Sequence, residues 1–336
     1  MVARNSALNS TPAPTGALVD MTVDLGRGLV LRNPVVAASG VFGYGTEYAD
    51  VVDVNRLGAI FTRGTTLRPR LGNASPRAIL TPSGLINAVG LHNPGVNAVL
   101  ERYADRWSTW DVPVIVNICA ETVNDYAELA RRLDGHHGVG GIELNLSCPN
   151  SDAGGLQFAL DAGAAASVVS AVRAATELPV LAKLSPAAAD PRTIARALVE
   201  AGVDAISAVN SMPALAVDRR ARTPFLGNVY GGFSGPALKP IALRVVFEVA
   251  QRVKVPVVAA GGIASLEDAL DFLMAGASAV QVGTAAFADP TLPLRIVDQL
   301  EEWCRDNGHA TYREIVGAAL PPRRQKASAK GVDYRP

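Results

Sequence analysis

At 336 residues, with 49% hydrophobic and 18% charged positions, the chain holds enough apolar material for a large core and too little charge for a disordered polymer. Its 31 basic and 31 acidic residues cancel, which removes the broad positive field of a nucleic-acid binder and leaves any phosphate recognition to local groups. No apolar run reaches the roughly 18 to 20 residues of a membrane span. The first twenty residues lack the apolar centre of a signal peptide, so a cytoplasmic protein with neither membrane nor nucleic acid as partner is expected.

In chain order, residues 1–20 are rich in Pro, Ala and Ser without periodicity and read as a mobile tail. TVDLG and GLVL then flank Arg27 as a small hairpin. From Pro34 onward, short Val-, Ile- and Ala-rich runs alternate with helical segments. The strand runs are 34–39, 59–63, 113–117, 141–146, 179–184, 204–209, 256–260 and 279–283. Most are apolar on both faces, as a parallel strand between a barrel interior and a helix layer requires. Helical periodicity covers 123–133, 160–176, 190–201, 239–253 and 265–275, several of them closed by a glycine such as Gly202 or Gly276. Thr122 with Asp125, Asp190 before Pro191, and Ser265 with Glu267 and Asp268 supply first-turn caps and acids.

These pairs predict an α/β fold, a (β/α)8 TIM barrel over 21–320 with the N-terminal hairpin closing its bottom; an open doubly wound sheet is the alternative. The long connections 64–111, 148–158 and 211–238 all follow strands, which puts them on the C-terminal face, where barrel enzymes carry their chemistry. Residues 321–336 read as a second mobile tail.

Glu143-Leu144-Asn145-Leu146-Ser147-Cys148-Pro149-Asn150 is the strongest local feature, an apolar strand ending in a polar burst with a thiol between two asparagines. Asparagine presents donor and acceptor together and suits the amide edges of a pyrimidine-like ring, while the thiol adds a titratable group. The alternative is a packing cysteine with asparagines capping a turn. Gly261-Gly262 after the seventh strand and Gly283-Thr284 after the eighth suit a phosphate cradle, which Gly231-Gly232-Phe233-Ser234-Gly235 would complete; plain βα turns also use glycine. No G-x-G-x-x-G follows the first strand and no P-loop is present, so an FMN phosphate fits better than NAD or ATP.

Lys183 stands alone in the apolar run Val180–Leu184 and needs an anion, either a reduced flavin or a core carboxylate. Ser39-Gly40, Asn117 and Asn210 end other strands and mark an occupied mouth. Among the histidines, His92, His136, His137 and His309 have no ligand spacing, and no metal is expected. Three cysteines at wide spacing fit neither a disulfide framework nor a zinc site, and Cys119 and Cys304 read as packing residues.

From about residue 22 to 318 the chain resembles the dihydroorotate dehydrogenases, specifically the soluble class 1B catalytic subunits. The resemblance lies in ASGVFGYGTEYAD, GTTLRPRLGN, TPSGLINAVGLHNPG, VPVIVNI, ELNLSCPN, LPVLAKLSP, GGFSGPALKP and AAGGIASLEDALDFLMAGASAVQVGT. It implies FMN-dependent oxidation of dihydroorotate to orotate in pyrimidine biosynthesis, with Cys148 as catalytic base for the C5 proton while hydride passes from C6 to flavin N5. A cysteine at this position is similar to the soluble class, the membrane-attached class having serine. A thiol pKa partly lowered by surrounding donors is expected.

Carried over residue by residue, Asn87, Asn145, Asn150, Asn210 and Ser211 match the positions that hold the pyrimidine and its carboxylate. Ser39, Gly40, Asn117, Asn145, Lys183, Val209, Gly235, Gly261, Gly262, Gly283 and Thr284 match flavin contacts. Arg63 stands where the family usually has the lysine of Val-Lys-Gly-Thr-Thr, a catalytic and flavin-contact position; it keeps the charge as a planar fork. The change implies slowed orotate production, another dihydropyrimidine as substrate, or tolerated drift. The class 1B resemblance further implies a homodimer joined by a separate FAD and [2Fe–2S] subunit passing electrons to NAD, since this chain has no clustered cysteines. A class 1A homodimer using fumarate is the alternative, and a non-catalytic barrel binding a phosphate ligand would need only the glycines.

Overall fold

Eight parallel strands close on themselves in the computed structural model, which describes residues 18–147 and 155–322, with only the backbone course for 155–157. They are β1 (Val35–Ala37), β2 (Ile60–Phe61), β3 (Val114–Ile118), β4 (Gly141–Asn145), β5 (Val180–Leu184), β6 (Ala205–Ala208), β7 (Val257–Ala260) and β8 (Ala279–Val282). Each pairs with its sequence neighbour, and β8 returns to β1 through Val282↔Ala37. Every residue of β3 and of β5 is buried, as expected of strands covered by side chains inside and helices outside. The eight strand runs read from the sequence are these strands, and the fold is the (β/α)8 barrel.

The outer layer is α1 (Val96–Trp107), α2 (Val123–Leu133), α3 (Gly155–Leu160), α4 (Ala162–Arg173), α5 (Pro191–Glu200), α6 (Lys239–Ala250), α7 (Leu266–Met274) and α8 (Leu292–Asp306). Caps stand where the side-chain chemistry puts them: Thr122 Oγ1 accepts from Asp125 N at 3.1 Å and Ser265 Oγ from Asp268 N at 3.3 Å. The stretch 160–176, read as one helix, divides at Asp161, whose carboxylate accepts from Ala164 N at 2.7 Å and starts α4 afresh. After β1 the chain makes two single 3-10 turns, Thr46–Tyr48 and Val54–Arg56, rather than an α-helix. Gly43 and Gly45 hold positive φ there, and a Cβ on Gly45 would lie 2.8 Å from the Trp110 ring.

At the bottom, Val23–Asp24 pairs antiparallel with Val30–Leu31, and Leu25, Leu29 and Leu31 are buried. Arg27 sits at the turn with φ 48° and reaches Asp204, just ahead of β6, at 3.2 Å. This is the hairpin expected to close the barrel.

The top holds more order than the sequence suggested. Ala78–Thr81 and Gly84–Asn87 from the second connection join Met212–Leu215 and Tyr230–Ser234 from the sixth in one four-stranded antiparallel sheet, with Gly232↔Asn87 and Phe233↔Ile86 across the seam. α1 also lies within the segment read as a long connection. Of the 148–158 connection, residues 148–154 lie outside the described residues, as do 1–17 and 323–336 of the two terminal segments. Among the described residues no helix is long and apolar enough to cross a membrane.

Candidate active site

A cavity of about 360 Å³ opens at the C-terminal ends of the strands, and a chamber of about 180 Å³ adjoins it. Ser39, Gly40, Asn87, Asn210 and Ser211 line both, so the two form one continuous mouth. Lys183, Val209, Gly235, Gly261, Gly262, Gly283 and Thr284 line the larger part, while Arg63, Asn117 and Asn145 line the smaller. The described residues singled out from the sequence are thus brought together from the ends of β1 to β8 and from the overlying sheet. Cys148 and Asn150 lie outside the described residues; Ser147, directly before the thiol, is buried at the end of β4.

One end of the larger cavity is built of backbone. Gly261 and Gly262 hold φ of 125° and 79°, and a Cβ on Gly262 would stand 2.7 Å from Lys239 Cβ and 2.8 Å from Lys239 N. Gly235, at φ 110°, would press a Cβ to 2.7 Å from Gly84 Cα. Only glycine fits these bends against their neighbours. Gly40 is different: φ is 85° and its missing Cβ would enter open space. Thr284 Oγ1 donates to Ser234 Oγ at 2.8 Å beside this end. Gly231 and Gly232, expected to extend the cradle, are instead strand residues paired with Ala214 and Pro213, and a Cβ on Gly232 would collide with Ser211 Oγ. They serve the sheet: a Cβ on Gly231 would lie 2.7 Å from Asn87 O of the neighbouring strand, and Gly232 leaves room for Ser211.

The inner wall is polar and charged. Lys183 is 5% exposed; its Nζ donates to Ser39 Oγ and Gln281 Oε1, both at 3.0 Å, and lies 3.5 Å from Glu143 Oε1. Glu143, fully buried on β4, accepts from Asn117 Nδ2 at 2.7 Å and Gln281 Nε2 at 3.1 Å. Burial alone would raise its pKa, but the Lys183 charge and donors from Ser207, Gln281 and Asn117 outweigh that and hold it below the ordinary carboxylate value. The lysine therefore has the core carboxylate that the sequence left as one of two options, and it still faces the cavity.

Above this wall the amides form a chain. Asn210 Nδ2 donates to Asn145 Oδ1 at 3.1 Å and Ser147 Oγ at 2.8 Å, and Asn145 Nδ2 meets Asn117 Oδ1 at 3.5 Å. Tyr126 on α2 fixes the end of β4 by donating to Asn145 O at 2.7 Å. Arg63 is held through its backbone, N to Gly43 O at 2.8 Å. Its half-buried guanidinium has no hydrogen-bond or ion-pair partner among the described residues. An anion or carbonyl arriving in the smaller chamber meets a free planar donor fork.

Glu143, Gln281 and Ser207 were missed as site residues. The signal was available: an acid inside GIELNL and an amide inside AVQVG are as anomalous in buried strands as Lys183 is in its own. Cys119 and Cys304 are both buried, and burial pushes the Cys304 thiol up to about 11. Among the described residues no group of three or more His, Cys, Asp or Glu is placed to hold a metal ion.

The cavity suits a flat, amide-rich ring carrying a phosphate tail. Its walls pair apolar Val41, Leu85, Leu238 and Ile263 with polar Ser39, Asn210 and Lys183, and its glycine end leaves backbone exposed to an anion.

The family model described as dihydroorotate dehydrogenase matches residues 25–304. A relative from Geotalea uraniireducens (strain Rf4), named dihydroorotate dehydrogenase B (NAD(+)), catalytic subunit, is 47% identical over 301 residues, 90% of this chain and 98% of its own. Relatives of the same name are 48% identical over 299 residues in Pelobacter propionicus, covering 89% and 98%, and 49% identical over 292 residues in Desulforudis audaxviator, covering 87% and 95%.

Proposed function

Because the chain belongs to the dihydroorotate dehydrogenase family, we propose that it is the catalytic subunit of a class 1B enzyme that oxidises (S)-dihydroorotate to orotate in pyrimidine biosynthesis, with FMN as its flavin. The observation that carries this reading is the convergence of Arg63, Asn87, Asn117, Asn145, Lys183 and Asn210 from different strands and connections onto one cavity with a glycine end.

Ser39, Gly40, Asn117, Lys183, Val209, Gly235, Gly261, Gly262, Gly283 and Thr284 would hold FMN, with the glycine end for the phosphate and Lys183 for the electron-rich edge of the ring. When bound, the flavin supplies the acceptor for the hydride that leaves C6 of the substrate. Asn87, Asn145, Asn150, Asn210 and Ser211 hold the pyrimidine by its amide edges, and the Arg63 fork takes an anionic or carbonyl oxygen. Cys148 Sγ takes the C5 proton, so that loss of proton and hydride leaves the C5–C6 double bond. Asn210, tied to Ser147 at 2.8 Å, couples the residue before the thiol to the amide row.

The shared relative name, a catalytic subunit using NAD(+), supports a separate electron-transfer subunit; the class 1B resemblance adds the proposal that this subunit carries FAD and a [2Fe–2S] cluster and works with a homodimer of this chain. The test is spectroscopic. Purified protein supplied with FMN should show the flavin bands, and anaerobic dihydroorotate should bleach them. A chain that takes up no flavin refutes every redox reading. Bleaching by dihydrouracil or dihydrothymine but not by dihydroorotate would move the substrate to another dihydropyrimidine, the second reading, for which Arg63 in place of the usual lysine is the motive.

A further inference from the structure

The buried carboxylate of Glu143 does not itself line the cavity, yet it ends two hydrogen-bond chains that reach it. A carboxylate only accepts, and an ammonium only donates. Gln281 sits between the two: its Nε2 donates to Glu143 at 3.1 Å and its Oε1 accepts from Lys183 at 3.0 Å. Its amide direction is therefore forced from both ends. Asn117 is forced the same way, since its Nδ2 at 2.7 Å must face the carboxylate and its Oδ1 must then face Asn145 Nδ2 at 3.5 Å. That turns Asn145 Oδ1 to Asn210 Nδ2 at 3.1 Å. The far end is fixed as well, because Asn210 Oδ1 accepts from Ser211 N at 2.8 Å and a backbone N–H only donates, so the row reaches Glu143 with a donor that only an acceptor can meet.

We propose that Glu143 is a positioning residue of the site: its two acceptor oxygens close the Asn117 and Gln281 amide chains, each of which arrives donor-first, and its charge balances Lys183 beside the flavin. This inference rests on the flavin reading of the cavity. Its fold role alone does not require a charge, because an apolar pair at Glu143 and Lys183 would hold adjacent strands at least as well. Removing the negative charge leaves Lys183 unbalanced, which favours the reduced, more negative flavin. It also puts an NH2 where Asn117 or Gln281 already points one, and because both chains are held at their other ends, donor then faces donor and the amides shift out of line.

The test uses flavin-loaded protein and two variants. Glu143→Gln should shift the two-electron reduction equilibrium of bound flavin at least tenfold toward the reduced form, about 30 mV for a two-electron couple, and weaken orotate binding about tenfold. The exchange E143Q with Q281E restores one charge and one acceptor-only group: the amide now on β4 accepts from Asn117 and donates to the carboxylate now on β8, which accepts from Lys183. It should return both readouts to within about threefold of the parent, a span of roughly 0.7 kcal/mol. A Glu143→Gln protein with unchanged potential and orotate affinity overturns the inference, and so does an exchange variant that recovers neither. Where Glu143→Gln alone does not fold, failure of the exchange to restore folding counts against it equally. A parent chain that takes up no flavin overturns this inference and the proposed function together, whereas the other failures touch this one alone.

Discussion

Lys183→Met is the sharpest probe of the polar wall, because it removes the cation and keeps most of the volume of the stem. The Lys183–Glu143 separation of 3.5 Å corresponds to roughly 5 kcal/mol of attraction at an effective dielectric near 20, and breaking buried pairs costs about 3–5 kcal/mol. Asn117, Gln281 and Ser207 still donate to the carboxylate, so a loss of about 3 kcal/mol at pH 7 is expected, at the low end of that range. The pH dependence reverses sign. In the parent, Glu143 has a lowered folded pKa, so its contribution is present above the unfolded value near 4.5 and is lost as pH falls through the folded value. In the variant, burial prevails and the folded pKa lies above the unfolded one, so the protein should regain stability as pH falls from about 8 to about 5. Urea denaturation of flavin-free parent and variant across that range measures both. A deficit under about 1 kcal/mol, with no pH trend, would refute the account of Glu143 as a charged group held by Lys183.

Three further substitutions test other parts of the site. Gly262→Ala must place a Cβ 2.7 Å from Lys239 Cβ at φ 79°, so about 2 kcal/mol of stability and most FMN retention should be lost, read by thermal melting and by bound flavin after gel filtration. Cys148→Ser should retain flavin yet slow anaerobic reduction by dihydroorotate about 100-fold at neutral pH, because the hydroxyl is a far weaker base; equal stopped-flow rates would remove the thiol from the mechanism. Arg63→Lys exchanges a fork for a point donor and should change kcat/KM for dihydroorotate less than about tenfold, a span of about 1.4 kcal/mol. A gain well beyond that would mean that the arginine is adapted to a different dihydropyrimidine.

The barrel was legible because burial on both faces imposes a local signature. VPVIVN and LPVLAKL are continuous apolar runs wherever they occur in the fold, and the caps at Thr122 and Ser265 lie within four residues of the groups they serve. The sheet above the cavity was not legible, since Gly84–Asn87 and Tyr230–Ser234 are short and glycine-bearing, and the paired Asn87 and Gly232 are 145 positions apart. Nothing local in GLIN or YGGFS says that the two meet. The same distance rule explains why the candidate residues emerged as a set of strand ends while the ties among them did not: Lys183 was visible as an anomaly, but Gln281, its acceptor, is 98 positions away.

The pairing pattern also constrains how the site is assembled. Asn87 enters from the second connection and Ser211 from the sixth, and the backbone of Gly232 against both fixes their separation: it pairs with Asn87, and a side chain at 232 would strike Ser211 Oγ. The described asparagines that line the cavity therefore divide into two groups with different supports. Asn117, Asn145 and Asn210 stand on barrel strands or directly after them and are tied to Glu143 through the amide row, whereas Asn87 depends on the overlying sheet. Substitutions that loosen the sheet, such as Gly232→Ala, should release Asn87 and raise KM for dihydroorotate while leaving most of the flavin in place, because Lys183, Gly261, Gly262 and Gly283 stand on or directly after barrel strands and, of the glycine end, Gly235 alone follows the sheet. Equal loss of flavin in that variant would show that the sheet and barrel halves of the site are supported together.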